Sequence, residues 1–279
     1  MDKSGTKCFG LIGDPIDKSM SPALFRAGYG GKYRYDLITG SDFEVSYKRF
    51  LDSYDGINVT APFKEKAFRK AGASDQASKR IGASNLLVKT DDGIMAYNTD
   101  YIGIQMSLLK AAEGSGHIWR RALIAGCGGA GKAAAVAAGD LNLETVIINR
   151  TIEKAEEFAS RLPQYGFKVK GPDAFPECFR QADVIIYTIP EKTGELGLLD
   201  RSDFKGGRLR CRTKYVLEAN YTRPSFDEGL IGRMHEANPL LKYISGKEWL
   251  LYQAVGGYGI FTGEQPDSES MRGILDQEG

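Results

Sequence analysis

The stretch Arg121–Arg150, RALIAGCGGAGKAAAVAAGDLNLETVIINR, decides the fold class of this chain. It reads as a strand at 122–125, a glycine turn, an alanine-rich helix, and a second strand at 145–148 that stops at Asn149 and Arg150. Gly126, Gly128 and Gly131 have the G-x-G-x-x-G spacing, in the strand, turn and helix order without which the spacing means little. The first glycine permits a tight turn, the second lets backbone approach a pyrophosphate, and the third lets helix and strand pack closely. Phosphates would then lie at the positive end of a helix.

The residue closing the second strand selects the cofactor. An acid there would bind a ribose 2′-hydroxyl and repel the 2′-phosphate of NADP. This chain has Asn149-Arg150-Thr151, with Lys154 one turn on. Arginine's planar fork of donors suits a phosphate, so NADP(H) is expected rather than NAD. An ordinary surface arginine would look the same; its place in the fingerprint unit gives it meaning.

Beyond Arg150 the alternation continues: a helix after Thr151, a strand near Lys168, apolar strands at 183–187 and 215–219, a helix over 225–236 and a strand at 242–244. Sequential βαβ units of this kind predict a parallel, doubly wound sheet. Ahead of Arg121 a second α/β pattern lacks a glycine fingerprint. Strands are expected at 7–12, 33–38 and 56–59, and a hairpin at 85–89 and 94–97 around Asp92-Gly93. Ser21 is expected to cap a helix with Pro22 at its first position, and Ser41 with Glu44 reads as a capping box. Pro62 marks a further helix start, and Asn98-Thr99-Asp100 would cap a helix over 101–113. Gly114-Ser115-Gly116 is the obvious linker. The segments 246–261 and 267–277 look helical with no strand to follow, as a tail packing back on the first domain would.

Composition narrows the class without naming a partner. Lys plus Arg number 37 against 36 Asp plus Glu, so no basic surplus points to nucleic acid. Cys8, Cys127, Cys178 and Cys211 are scattered, with no C-x-x-C pair and no neighbouring histidine, so no metal site is expected and a reduced compartment is the simplest setting. MDKSGTKCFG lacks the flank and apolar run of a signal peptide, and no stretch is long enough to span a membrane. The expectation is a cytoplasmic protein.

A nicotinamide enzyme reducing a ketone must deliver a proton to the developing alkoxide. His117 and His235, the two histidines, lie before the first nucleotide-domain strand and far along that domain. Lys64 follows a strand end and a proline, and Asp100 stands at another strand end, where ligands of open α/β sheets bind. Spacing alone does not separate this pair from a solvated lysine and a capping aspartate.

Six blocks in order change that. Gly13-Asp14-Pro15-Ile16 with Ser19-Met20-Ser21-Pro22, Asn58 to Glu65 (NVTAPFKE), Gly82-Ala83-Ser84-Asn85, Asn98-Thr99-Asp100, Gly126 to Gly131 and Asn149-Arg150-Thr151 together resemble the shikimate dehydrogenase family over nearly the whole chain. Gly246 and Gln253 continue the resemblance.

What it implies is NADPH-dependent reduction of 3-dehydroshikimate to shikimate, in aromatic amino-acid (chorismate) biosynthesis. By similarity Lys64 and Asp100 are the catalytic pair, Ser19 and Ser21 hold the substrate carboxylate, and Asn58, Thr60, Asn85, Tyr221 and Gln253 surround the ring. Gly126, Gly128, Gly129, Ala130, Gly131, Asn149, Arg150, Thr151, Lys154 and Gly246 would hold the cofactor. The implied architecture is α/β with two domains. Residues 1–103 with 246–279 form a substrate domain completed by the C-terminal helices, and 104–245 form a Rossmann-type NADP-binding domain. A monomer or homodimer is expected. Two alternatives remain at this point: a quinate/shikimate dehydrogenase with relaxed substrate or cofactor choice, and a non-catalytic NADP-binding regulatory protein of the same fold.

The departures from the family pattern concentrate around the cofactor. Lys18 replaces a histidine, Tyr187-Thr188-Ile189-Pro190 replaces an Asn-Ala-Thr-Ser-like stretch, Glu218 replaces the aspartate of a D-x-x-Y pattern, and Glu248-Trp249 occupies the neighbourhood of a methionine.

Overall fold

The computed structural model describes residues 6–205 and 211–277. In chain order its principal elements are β1 (Cys8–Gly13), α1 (Ser21–Gly28), β2 (Arg34–Thr39), α2 (Phe43–Ser53), β3 (Gly56–Val59), α3 (Lys64–Lys70), β4 (Ala73–Ser74), α4 (Gln76–Ile81), β5 (Leu86–Thr90), β6 (Gly93–Tyr97) and α5 (Thr99–Ala112). There follow β7 (Arg121–Ala125), α6 (Gly129–Asp140), β8 (Glu144–Ile148), α7 (Ile152–Ser160), β9 (Lys168–Lys170), α8 (Phe175–Gln181), β10 (Val184–Tyr187), α9 (Gly194–Gly197), α10 (Arg201–Lys205), β11 (Lys214–Glu218), α11 (Glu228–Ala237), β12 (Leu241–Ile244), α12 (Gly246–Thr262) and α13 (Ser268–Gln277). The chain divides into two compact units, one running to Gly103 and resuming at Leu251, the other spanning Ile104–Leu250.

The first unit holds a mixed sheet of order β2-β1-β3-β5-β6-β4. β1 lies parallel between β2 and β3, and every residue from Phe9 to Gly13 is buried, which is why CFGLI reads as an apolar run. β5 turns antiparallel to both β3 and β6, and Gly93 supplies the positive φ of +123° that the hairpin needs. The C-terminal helices complete this unit. Phe9 stacks on Phe261 at 4.8 Å and Phe25 meets Tyr258 edge-on at 4.7 Å. Gly28 and Gly56 allow the close approach: a Cβ on Gly56 would lie 2.7 Å from the Phe261 ring, and one on Gly28 3.0 Å from Met271.

The second unit is a wholly parallel sheet of order β12-β11-β10-β7-β8-β9. Counted from β7, this is the 3-2-1-4-5-6 order of the Rossmann fold, with its switch point between β7 and β10. Ala133 to Ala138 of α6 are completely buried, so small side chains let the helix lie close over the strands. Among the described residues no helix is long and apolar enough to cross a membrane.

Several local expectations shift. Asp42, not Ser41, caps α2, its carboxylate accepting from the Glu44 and Val45 amides. Ser21 lies inside α1 behind an uncapped Met20, and Asp100 lies inside the first turn of α5, where Asn98 Oδ1 receives the Tyr101 amide at 3.4 Å. α11 opens after Asp227, three residues beyond the expected Ser225 start. Gly114-Ser115-Gly116 is no domain boundary: the turn belongs to the second unit, where the Tyr215 hydroxyl of β11 donates to Ser115 Oγ. β4, α4, α8, α9 and α10 went unpredicted, because elements of two to seven residues show too little of either period to register.

Lys214 opens β11 completely buried, its ammonium donating to the carbonyls of Phe179, Arg180 and Ala182 at 2.6, 3.1 and 2.6 Å and so closing the C-terminal end of α8. Burial pulls its pKa down to about 7. An unfolded lysine holds its proton to about 10.4. Its contribution to stability is therefore full above that value and is lost as pH falls through about 7, with a slope of up to about 1.4 kcal/mol per pH unit between. Urea unfolding at pH 7, 8 and 9 is expected to show this rise in the wild type and its loss in Lys214→Met.

Candidate active site

In the second unit the glycine turn follows β7. Gly126 adopts φ +98°, open to glycine and costly for other residues. A Cβ on Gly131 would fall 2.1 Å from the Gly126 carbonyl oxygen, so the third glycine is required where α6 leaves the turn. Gly128 caps α6 in an extended conformation, with nothing within 4 Å of where its Cβ would stand. That open face at the start of a 12-residue helix is the shape a pyrophosphate fits. Gly129 and Ala130 supply the next amides of the same turn. Asn149 joins it to β8: its Oδ1 accepts from the Cys127 amide at 3.1 Å and its Nδ2 donates to the Thr151 carbonyl at 2.7 Å. Arg150, Thr151 and Lys154 are exposed beside it, two cations with no acid in the Asn149–Thr151 turn. This donor set fits a 2′-phosphate.

The altered segment after β10 has a clear structural role. Tyr187 is fully buried against Phe175 and Phe226, its hydroxyl meeting the Glu191 carbonyl at 3.1 Å and Thr193 Oγ1 at 3.0 Å. Thr188 binds the Ala125 carbonyl through both its amide, at 2.9 Å, and its hydroxyl, at 2.7 Å. That hydroxyl would sit 2.7 Å from a Cβ on Gly126, so Thr188 closes one wall of the turn. Tyr221 and Gly246 also belong to this unit, and Trp249 is buried at 4% exposure.

In the first unit a polar cluster gathers at the ends of β1, β3, β5 and β6. Lys64 at the start of α3 donates to Asp100 Oδ2 at 2.5 Å, with side chains 15% and 7% exposed. Pairing makes so deep a pair of charges tolerable. Asn85 is the hub. Its Nδ2 donates to Thr99 Oγ1 at 3.1 Å and to Gln253 Oε1 at 2.8 Å, while its Oδ1 accepts from the Thr99 amide at 2.7 Å. Its carbonyl receives Asn58 Nδ2 at 3.3 Å. Ser19 and Ser21 lie together, hydroxyl to hydroxyl at 3.1 Å, and the Tyr258 hydroxyl donates to the Ser21 carbonyl at 3.1 Å. Thr60 follows β3, its amide bound to the Ile12 carbonyl at 2.9 Å, and Ala61-Pro62 and Asp14-Pro15 are both cis.

Two members of the cluster were not anticipated. Tyr35 of β2 donates to Asn58 Oδ1 at 2.8 Å, orienting that amide, and Thr99 braces Asn85. Tyr35 alternates like any half-buried strand residue, and Thr99 reads as part of a cap, so neither carried a signal.

A Rossmann sheet with its glycine turn, together with a separate α/β unit carrying a part-buried Lys-Asp pair, is the plan of a two-domain dehydrogenase. Two family models match the chain: "Shikimate dehydrogenase substrate binding domain" over residues 11–87 and "Shikimate / quinate 5-dehydrogenase" over residues 111–205. The chain is 30% identical to the NADP(+) shikimate dehydrogenase of Pyrococcus furiosus, covering 96% of this chain and 95% of that protein. It is also 30% identical to that of Methanocaldococcus jannaschii, covering 99% and 98%. Among solved structures it resembles Mycobacterium tuberculosis shikimate dehydrogenase, with TM-score 0.78, 26% identity and 98% and 100% of the two chains covered. A quinate dehydrogenase from Corynebacterium glutamicum in complex with NAD shares the fold at TM-score 0.80, 20% identity and 98% and 99% coverage. The chain belongs to the shikimate dehydrogenase family.

Proposed function

We propose that this protein reduces 3-dehydroshikimate to shikimate with NADPH, reversibly, in the route to chorismate and the aromatic amino acids. The observation that carries the reading is the part-buried Lys64–Asp100 pair at 2.5 Å within a cluster of neutral polar side chains. The NADP(+) relatives at 30% identity support the cofactor, as do the fit of the glycine turn and Arg150.

When bound, NADPH supplies the hydride. Lys64 Nζ donates to the ketone oxygen and hands it a proton as it becomes an alkoxide, while Asp100 holds Nζ in place. Ser19 and Ser21 present hydroxyls to the carboxylate. Asn58, Thr60, Asn85, Tyr221 and Gln253 select the ring hydroxyls, because an analogue lacking one would leave a buried partner unsatisfied. Gly126, Gly128, Gly129, Ala130, Gly131 and Gly246 give the cofactor close backbone approach, and Asn149, Arg150, Thr151 and Lys154 take its 2′-phosphate. We also assign residues 1–103 with 246–279 to the substrate and 104–245 to NADP, and propose a cytoplasmic monomer or homodimer. The four free thiols Cys8, Cys127, Cys178 and Cys211 support a reduced setting.

Purified protein is expected to oxidise NADPH when 3-dehydroshikimate is added, followed by loss of NADPH absorbance. No oxidation beyond a Lys64→Ala control overturns the reading. In the oxidative direction, followed by gain of reduced-cofactor absorbance, quinate with NADP and shikimate with NAD are each expected to turn over more slowly than shikimate with NADP.

A further inference from the structure

Glu218 ends β11 with a carboxylate that is fully buried. Its Oε1 accepts from the Ser225 amide at 2.5 Å, and its Oε2 accepts from the Phe226 amide at 3.3 Å and the Tyr243 hydroxyl at 2.8 Å. These donors lie on two segments: the loop after β11, and β12 just before Gly246. Burial pushes the Glu218 carboxyl up, and together with Glu218 it raises the Tyr243 phenol. An acid is costly at such depth unless donors converge on it, and here three do.

The loop is fastened elsewhere too. The Ala219 amide donates to the Tyr187 carbonyl at 2.9 Å, and Asn220 Nδ2 donates to the carbonyls of Pro190 at 2.8 Å and Arg223 at 2.6 Å. Tyr221 sits between the Asn220 staple and the Glu218 clamp. Gly246 touches the same loop, since a Cβ there would lie 2.8 Å from the Ala219 carbonyl oxygen.

We infer that Glu218 is a positioning residue: its carboxylate clamps the loop of residues 219–226 to β12 and so sets where Tyr221 and Gly246 stand. This rests on the reading that Tyr221 meets substrate and Gly246 meets cofactor. The clamp explains why a buried acid stands here when an apolar side chain would suit the neighbouring Phe226 and Tyr243 rings, whose centroids lie 5.9 Å from each other.

The test compares Glu218→Gln, Tyr243→Phe, Tyr221→Phe and the Glu218→Gln/Tyr221→Phe double variant with the wild type. The amide side chain keeps the volume of the acid and retains acceptor capacity on one atom only. Glu218→Gln is expected to raise KM for shikimate and for NADP about tenfold each while kcat falls less than about threefold, and Tyr243→Phe to do the same more weakly. Tyr221→Phe raises the shikimate KM alone, and the double variant is expected to be no worse toward shikimate than about the larger single effect. Hydrogen exchange at the Ser225 and Phe226 amides accelerates in Glu218→Gln. Unchanged KM values overturn the inference even if exchange accelerates, since the clamp would then be structural only; multiplicative effects in the double variant overturn it as well. Should the wild type not turn over shikimate, the proposed function fails by itself. Fluorescence titration of NADPH together with hydrogen exchange then decides the clamp: weaker binding with faster exchange supports it, and unchanged binding overturns it.

Discussion

Lys64→Ala is expected to lower kcat for shikimate oxidation by about 10²–10⁴-fold, the range for loss of a positioned acid or base. The binding of NADPH, followed by fluorescence, should not move, because the glycine turn lies on the other unit's sheet. Stability needs its own control. Removing Lys64 leaves Asp100, 7% exposed, without the ammonium that holds it at 2.5 Å, and breaking such a pair from one side costs about 3–5 kcal/mol. The double substitution Lys64→Met/Asp100→Leu removes both charges and is expected to regain most of the lost stability in urea while remaining inactive. Recovery of turnover along with stability would show that the pair serves the fold and not the proton.

The second large effect concerns cofactor choice. Arg150→Ala is expected to raise KM for NADP about 10–100-fold, as loss of hydrogen bonds from a charged group does, with KM for NAD nearly unchanged. Arg150 is exposed, so added salt should weaken NADP binding in the wild type and do so less in the variant. Equal losses for both cofactors would mean that Arg150 supports the turn and does not read the 2′-phosphate. Initial rates with both cofactors at low and high salt separate the two outcomes.

The nucleotide unit was the most legible part of the sequence because its signals are local. Gly126, Gly128 and Gly131 fall within six residues of one another between two apolar strands, and the structure shows a physical demand for glycine at Gly126 and Gly131 and an open face at Gly128. Fully buried parallel strands such as 184–187 declare themselves as unbroken apolar runs. Short elements such as α4 and β4 were lost for want of length. Caps were misplaced by a residue where neighbouring polar side chains compete for the same amides, as Ser41 and Asp42 do ahead of α2.

The polar cluster was legible only as separate fragments. Lys64, Asn85, Asp100 and Gln253 were each named from their own blocks, yet nothing local joins Asn85 to a glutamine 168 residues away. Tyr35 and Thr99 passed as ordinary strand and cap residues, and Glu218 as a substituted acid with no evident task.

By itself, then, the sequence determined the two α/β patterns, the glycine turn and the expectation of NADP, since these follow from period, spacing and residue type over short stretches, while the proposed site residues were named through the resemblance of six blocks to the family. Tertiary structure alone decided which of those residues meet. It set the Lys64 ammonium 2.5 Å from Asp100, made Asn85 the hub of its cluster, and sank Glu218 under three donors. The reason is physical: helix and strand periods report which face of a segment is buried, whereas distances between segments are set by how their side chains interlock once the sheets have formed.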